Sequence, residues 1–104
     1  MRSDLLTDDE RAERLPPLLE NGWEMVDDKD QIRKKFTFSN FRIAFGWMTV
    51  AGMEAEKMNH HPEWTNTWNR VVVKLTTFNK GGLTDLDMRL AKRMDVLAER
   101  FGAE

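Results

Sequence analysis

The chain contains two histidines, and they are adjacent, in the run Asn59-His60-His61-Pro62-Glu63-Trp64. Imidazole is the side chain whose ordinary pKa, about 6.5, lets it give or take a proton near neutrality. The pair falls just past the expected end of a long helix, where the negative end of the helix dipole favours a protonated ring. Pro62 stiffens the loop that carries them. Glu56 lies one helical turn before His60, so its carboxylate can orient or charge-pair an imidazole. Trp64 and Trp68 are spaced to share a strand face, where they would offer a flat wall for a planar heterocycle.

Each of these features also has a plainer reading. His-His-Pro serves as a helix stop or surface loop, the tryptophans as core, Asp87 as a helix cap, and Arg33-Lys34-Lys35 as a solvated strand face. A metal site on His60, His61 and Glu56 has no cysteine and no recognised ligand spacing behind it. Gly81-Gly82 ahead of a helix suits an anion, but the lysine and serine of a phosphate loop are missing. No Gly-x-Ser-x-Gly, dinucleotide-binding or kinase signature is present.

The elements that must position these residues are legible in the pattern. Thr7 and Glu10 form a capping box that opens a first helix. Pro16-Pro17 predicts a kink or break in it, and Asn21-Gly22 its end. Trp23, Met25, Ile32, Phe36 and Phe38 alternate with polar residues, which reads as a half-buried hairpin turning at Asp27–Asp30. Ser39-Asn40 caps a second helix whose apolar stripe is Phe41, Phe45, Met48 and Ala55, widened by Ala44, Trp47 and Ala51. That helix should end by Asn59, because Pro62 disfavours helical geometry at His61. Trp64, Asn66, Trp68, Val71, Val73, Leu75 and Thr77 alternate as two further strands joined near Asn69-Arg70. After the loop 79–82, Thr84 and Asp87 form a second capping box, with Leu83 and Met88 as a staple. Leu90, Met94, Leu97 and Phe101 give the third helix its buried stripe. The expected fold is α+β: a four-stranded antiparallel sheet with three helices on one face, in the order α-β-β-α-β-β-α. Such a sheet leaves edges and a face to manage, so self-association is expected.

Composition bounds the rest. With 104 residues there is room for one domain, spanning 1–104, and 40% hydrophobic content supports a core. Sixteen basic against 18 acidic residues leave a net charge of −2, which argues against a dedicated nucleic-acid binder. The absence of cysteine removes disulfides, zinc–thiolate sites, iron–sulfur clusters and thiol nucleophiles. No apolar run approaches the ~20 residues of a membrane helix, and no signal peptide is visible in the acidic opening from Met1 to Glu10. The expected compartment is the cytoplasm.

The run Glu56-Lys57-Met58-Asn59-His60-His61-Pro62-Glu63-Trp64 resembles the pterin-4a-carbinolamine dehydratase family. So do Asn66, Trp68-Asn69-Arg70-Val71, Thr76-Thr77, Gly82-Leu83-Thr84 and Asp87 after it. Upstream, Gly22-Trp23, Phe36, Phe38, Phe41, Ala44-Phe45 and Met48-Thr49 fit as well, so the resemblance covers nearly the whole chain. It implies a lyase that removes water from 4a-hydroxytetrahydrobiopterin or a related reduced pterin to give quinonoid dihydropterin, recycling the cofactor of an aromatic amino acid hydroxylase. No metal and no further cofactor are implied, since the pterin is the substrate. His60 corresponds to the main acid/base and His61 to a substrate-contacting histidine with a secondary proton-transfer role. Glu56, Asn59, Trp64, Thr76, Thr77, Phe78, Asn79 and Asp87 correspond to substrate-binding positions. The family's dimers extend the sheet and its tetramers pack helices, so a homodimer or homotetramer is expected. Three positions depart from the pattern. Phe78 stands where a third histidine is common, Trp68 where tyrosine is, and Asn59 where aspartate is. Phenylalanine cannot transfer a proton, so one acid/base group is absent. Animal relatives also serve as dimerisation cofactors of a homeodomain transcription factor, which makes a non-catalytic interaction protein the alternative.

Overall fold

The computed structural model describes residues 4–104; Met1, Arg2 and Ser3 of the opening segment lie outside the described residues. Helix α1 (Asp8–Glu20) starts as its sequence dictates. Thr7 Oγ1 accepts from the Glu10 N–H at 3.1 Å, and Glu10 Oε1 accepts from the Thr7 N–H at 2.8 Å. The expected break at Pro16-Pro17 does not occur, and α1 runs through both prolines. The missing N–H groups would have bonded the carbonyls of Ala12 and Glu13, two exposed residues whose carbonyls water can satisfy. Asn21 ends the helix, and Gly22 turns the chain at φ 103°.

The sheet is built from β1 (Glu24–Met25), β2 (Ile32–Thr37), β3 (Glu63–Thr67) and β4 (Arg70–Leu75). Its order is β1-β2-β4-β3, every pair antiparallel. Period-two burial fixes the register. Ile32 and Phe36 on β2 and Val71, Val73 and Leu75 on β4 are buried on the face that the helices cover. The inner position between Ile32 and Phe36 is Lys34, which corrects the reading of Arg33-Lys34-Lys35 as a solvated run. Its ammonium lies 2.7 Å from Asp95 and 2.6 Å from the Asn21 carbonyl, over the Phe36 ring. A long aliphatic stem lets a lysine line a core while its charge reaches a partner. Met25 continues the alternation in sequence only; its side chain is exposed.

Helix α2 (Phe41–Met58) is capped by Asn40, whose side chain accepts from the Ile43 N–H at 2.9 Å. Its buried line is Ala44, Trp47, Ala51 and Ala55. Phe41 and Phe45, expected on the core stripe, lie on the flank, exposed and stacked on each other at 5.6 Å. The buried stripe is small apart from Trp47, so the helix sits close to its neighbours. A Cβ on Gly46 would stand 3.3 Å from the Phe101 ring. Helix α3 (Asp85–Arg100) buries Met88, Leu90, Met94 and Leu97, and its Met94 carbonyl accepts from the Trp47 indole at 3.2 Å. The fold is the expected α+β arrangement. Trp68 is the misplaced strand residue: it sits in the β3–β4 turn at φ 52°, exposed, so the two-tryptophan wall does not form. Trp64 instead packs inward, 6.0 Å from Trp47 and against Gly52.

Candidate active site

The histidines are placed by the way α2 stops. Asn59 adopts the left-handed conformation (φ 51°, ψ 44°), which asparagine tolerates better than most residues. The reversed chain lets the His60 N–H bond the Ala55 carbonyl and the Asn59 N–H bond the Glu56 carbonyl, each at 3.0 Å. This turn sends the two imidazoles in different directions. His60 is buried, with 8% of its surface exposed, whereas the His61 side chain is 57% exposed. Glu56 reaches His61, not the His60 to which helical spacing pointed; Oε1 lies 2.8 Å from His61 Nε2.

His60 meets a carboxylate from the start of α3. Asp87 Oδ1 lies 2.6 Å from His60 Nε2, and Asp87 is fully buried. Asp87 is also the third residue of its helix, where free N–H groups and the helix dipole favour a negative group. Its Oδ2 accepts from the Thr84 N–H at 3.0 Å and from the Thr77 hydroxyl at 2.8 Å. Thr77 and Thr84 hydroxyls are 2.7 Å apart. One residue therefore caps a helix and anchors an imidazole. No buried side-chain nitrogen or oxygen among the described residues lacks a partner. His60 Nδ1, bonded to no described residue, is therefore not fully sealed from solvent in a residue that is 8% exposed. With Nε2–H donated to Asp87, Nδ1 is left with a lone pair that no described residue engages.

A second carboxylate braces the segment below. Asp30, in the β1–β2 turn, accepts from Arg11 Nη1 at 2.9 Å and from the Leu83 N–H at 2.9 Å. Its own carbonyl accepts from the Thr76 hydroxyl at 2.9 Å. The Arg11 guanidinium, helped by the Leu83 N–H and opposed by burial, holds the Asp30 carboxyl below the usual carboxylate range. Asp30 likewise raises Arg11. Through these bonds α1 and the hairpin hold the stretch 76–84.

The structure thus brings His60, Asp87 and Thr77 together and joins His61 to Glu56. Thr76 turns toward Asp30. Phe78 and Asn79 lie on a short 3-10 turn (Phe78–Lys80), both exposed, with Phe78 at 92%. Asn59 lies at the exposed turn, and Trp64 belongs to the core side of β3. Sequence reasoning treated Thr84 only as a cap; the capping box to Asp87 was the available signal for its place beside His60. Among the described residues, no group of three or more His, Asp or Glu side chains is placed to hold a metal ion. Nor is any helix long and apolar enough to cross a membrane. Two broad grooves lie elsewhere, about 630 Å³ between α1 and α3 and about 730 Å³ between α2 and α3, and neither histidine lines them.

Comparison with known proteins places the chain in a family. Residues 4–97 match the family model described as pterin 4 alpha carbinolamine dehydratase. A Roseobacter denitrificans protein that carries the family's name is 53% identical over 93 residues, covering 89% of this chain and 95% of its own. The pterin-4-alpha-carbinolamine dehydratase of Drosophila melanogaster is 46% identical over 93 residues, 89% of this chain and 48% of its own length. A crystal structure from Brucella melitensis, described as a transcriptional coactivator/pterin dehydratase, superposes with a TM-score of 0.84 at 43% identity. It covers 91% of this chain and 99% of that one. By the extent and identity of these matches, the chain belongs to the pterin-4a-carbinolamine dehydratase family.

Proposed function

We propose that this protein is a cytoplasmic dehydratase acting on 4a-hydroxytetrahydrobiopterin or a related reduced pterin, with no metal or further cofactor. It would serve the recycling of a pterin oxidised by an aromatic amino acid hydroxylase. The observation that carries the reading is the buried Asp87–His60 pair with its second ring nitrogen engaged by no described residue, beside the His61–Glu56 pair. Dehydration needs the C4a–O bond to break as the hydroxyl takes a proton and leaves as water. The N5–H proton must go to a base, and its electron pair forms the C4a=N5 double bond. His60 Nδ1 is the main proton-transfer atom and takes the N5 proton. His61, in contact with substrate, has the secondary role of supplying the proton to the leaving hydroxyl. General acid–base assistance of this kind is typically worth ~10²–10⁴-fold. Glu56, Asn59, Phe78 and Asn79 form the accessible rim around the pterin. Thr76, Thr77, Trp64 and Asp87 support it from below. The exposed Phe78 ring supplies a flat apolar surface where a proton-transfer group would otherwise stand.

The test is a dehydratase assay on enzymatically generated 4a-hydroxytetrahydropterin. Wild type should be active and His60→Ala should lose most of that activity while remaining folded. A His60→Ala variant as fast as wild type would remove the reading. A second reading, a non-catalytic interaction protein on the same scaffold, is favoured by Phe78 and by the coactivator description of the Brucella structure. An inactive wild type that gains activity with Phe78→His would select it. On either reading the chain acts as a homodimer or homotetramer, with exposed Phe41, Phe45 and Met53 on α2 as its apolar contact face.

A further inference from the structure

The Thr77 hydroxyl is a buried polar group that takes no part in the proton transfers above. We infer that a directed chain of hydroxyls, from Thr84 through Thr77 to Asp87, fixes the tautomer of His60, so that Thr77 is a positioning residue for the reaction. The inference rests on the reading of His60 as the proton-transfer group.

The direction follows from counting hydrogens. An ionised carboxylate only accepts, and a hydroxyl has one hydrogen to give. Thr77 Oγ1 lies 2.8 Å from Asp87 Oδ2 and 2.7 Å from Thr84 Oγ1. Were its hydrogen spent on Thr84, lone pairs of Thr77 and Asp87 would face each other at hydrogen-bond distance in a buried site. Thr77 therefore donates to Asp87, and Thr84 donates to Thr77. Thr84 Oγ1 in turn accepts from the Leu86 N–H at 3.2 Å, and the Thr84 N–H holds Asp87 Oδ2 at 3.0 Å. Two donors on Oδ2 keep the carboxylate from rotating and aim Oδ1 at His60 Nε2, 2.6 Å away. Of the two neutral tautomers, only Nε2–H makes that contact a hydrogen bond, and it leaves Nδ1 as an acceptor. Thr77 and Thr84 are 4% and 0% exposed, so water does not compete for these hydrogens.

The test compares wild type, Thr77→Val, which keeps the shape and loses the hydroxyl, and Thr77→Ser, which keeps the hydroxyl. The first readout is the nitrogen-15 spectrum of the His60 ring at mildly alkaline pH, which reports the tautomer without any substrate. Wild type and Thr77→Ser should show Nε2–H alone, and Thr77→Val a mixture. The second readout is kinetic. Thr77→Val should lower kcat about tenfold with KM within about twofold of wild type, and Thr77→Ser should restore it. A wild-type ring in the Nδ1–H form overturns the inference, even if Thr77→Val fails to fold. So does a Thr77→Val protein with unchanged tautomer and kcat, or a Thr77→Ser protein as impaired as Thr77→Val. An inactive wild type would defeat the proposed reaction, whereas the ring spectrum would still decide this inference.

Discussion

Gly82→Ala should destabilise the fold by about 2 kcal/mol and disturb the His60 network with it. The glycine is needed for a close approach: an added Cβ would lie 2.2 Å from Asp30 Oδ2 and 3.0 Å from Leu5 Cδ2. A clash with the far end of a side chain is cheap where that side chain can swing away. Asp30 cannot do so freely, because its carboxylate holds the Leu83 N–H and the Arg11 guanidinium. Leu83 is fully buried, so its N–H would be left without a partner, a loss of roughly 1.5 kcal/mol. The Arg11–Asp30 pair is 28% exposed on both sides, so its weakening adds about 0.5 kcal/mol, toward the surface end of the range. In a chain of this size about 2 kcal/mol lowers Tm by roughly 10 °C. Gly82 also pairs with Thr77, whose N–H donates to the Gly82 carbonyl at 2.9 Å. A shift there therefore carries into the residues that hold His60. Urea unfolding of wild type, Gly82→Ala, Asp30→Ala and the double variant measures the coupling. Gly82→Ala should cost at most about 1 kcal/mol once Asp30 is truncated, since the tightest contact then left is that to Leu5 at 3.0 Å. An equal cost in both backgrounds, or a cost below about 0.5 kcal/mol in wild type, would refute the reasoning.

Two further outcomes are expected. The Asp30 carboxyl sits below its ordinary range when folded, so its contribution to stability is complete above the unfolded pKa, about 4, and is lost as pH falls through the lower folded value. Urea midpoints between mildly acidic and strongly acidic pH should fall less steeply for Asp30→Asn than for wild type, and parallel curves would contradict this. Light scattering should give at least a dimer that Phe45→Glu weakens, since that side chain is exposed beside Phe41; a wild-type monomer mass would sink the assembly.

The caps and the strand alternation were legible because they are local. Thr7, Asn40 and Thr84 each cap the helix that their sequence announces. Helix spacing could not say which of two adjacent apolar lines on α2 would face the sheet. The line of small residues around Trp47 packs closest, and Phe41 and Phe45 are left outside. Lys34 was illegible for a related reason: alternation marks a position as inward but does not reveal that Asp95, 61 residues later, waits to pair with it. At the site, the His-His-Pro-Glu-Trp run and the Thr84–Asp87 box were visible as separate motifs. What joins them is the left-handed turn at Asn59. By reversing the chain it sends His60 in to Asp87 and leaves Glu56 to His61. Helical spacing alone pairs Glu56 with His60, because it assumes that the helix continues.

Asp87→Asn separates the two tasks of that one residue. The amide oxygen can still accept from the Thr84 N–H and the Thr77 hydroxyl, the two donors now on Oδ2, so the cap survives at a cost of about 1 kcal/mol. The amide NH₂ then occupies the place of Oδ1, 2.6 Å from His60 Nε2. An NH₂ donates, so Nε2 must become the acceptor and the ring proton moves to Nδ1. Nδ1 then carries a hydrogen where the proposed reaction needs a lone pair. Activity should fall by ~10²–10⁴-fold, the worth of a positioned base, with Tm lowered by only a few degrees. Flipping the amide would restore the tautomer but set its NH₂ against two donors, a buried conflict that favours the inactive arrangement. Circular dichroism, the His60 ring spectrum and the dehydratase assay on the same preparation read all three quantities. Full activity with His60 still in the Nε2–H form would mean that Asp87 is a cap alone and that the orientation of His60 has another source.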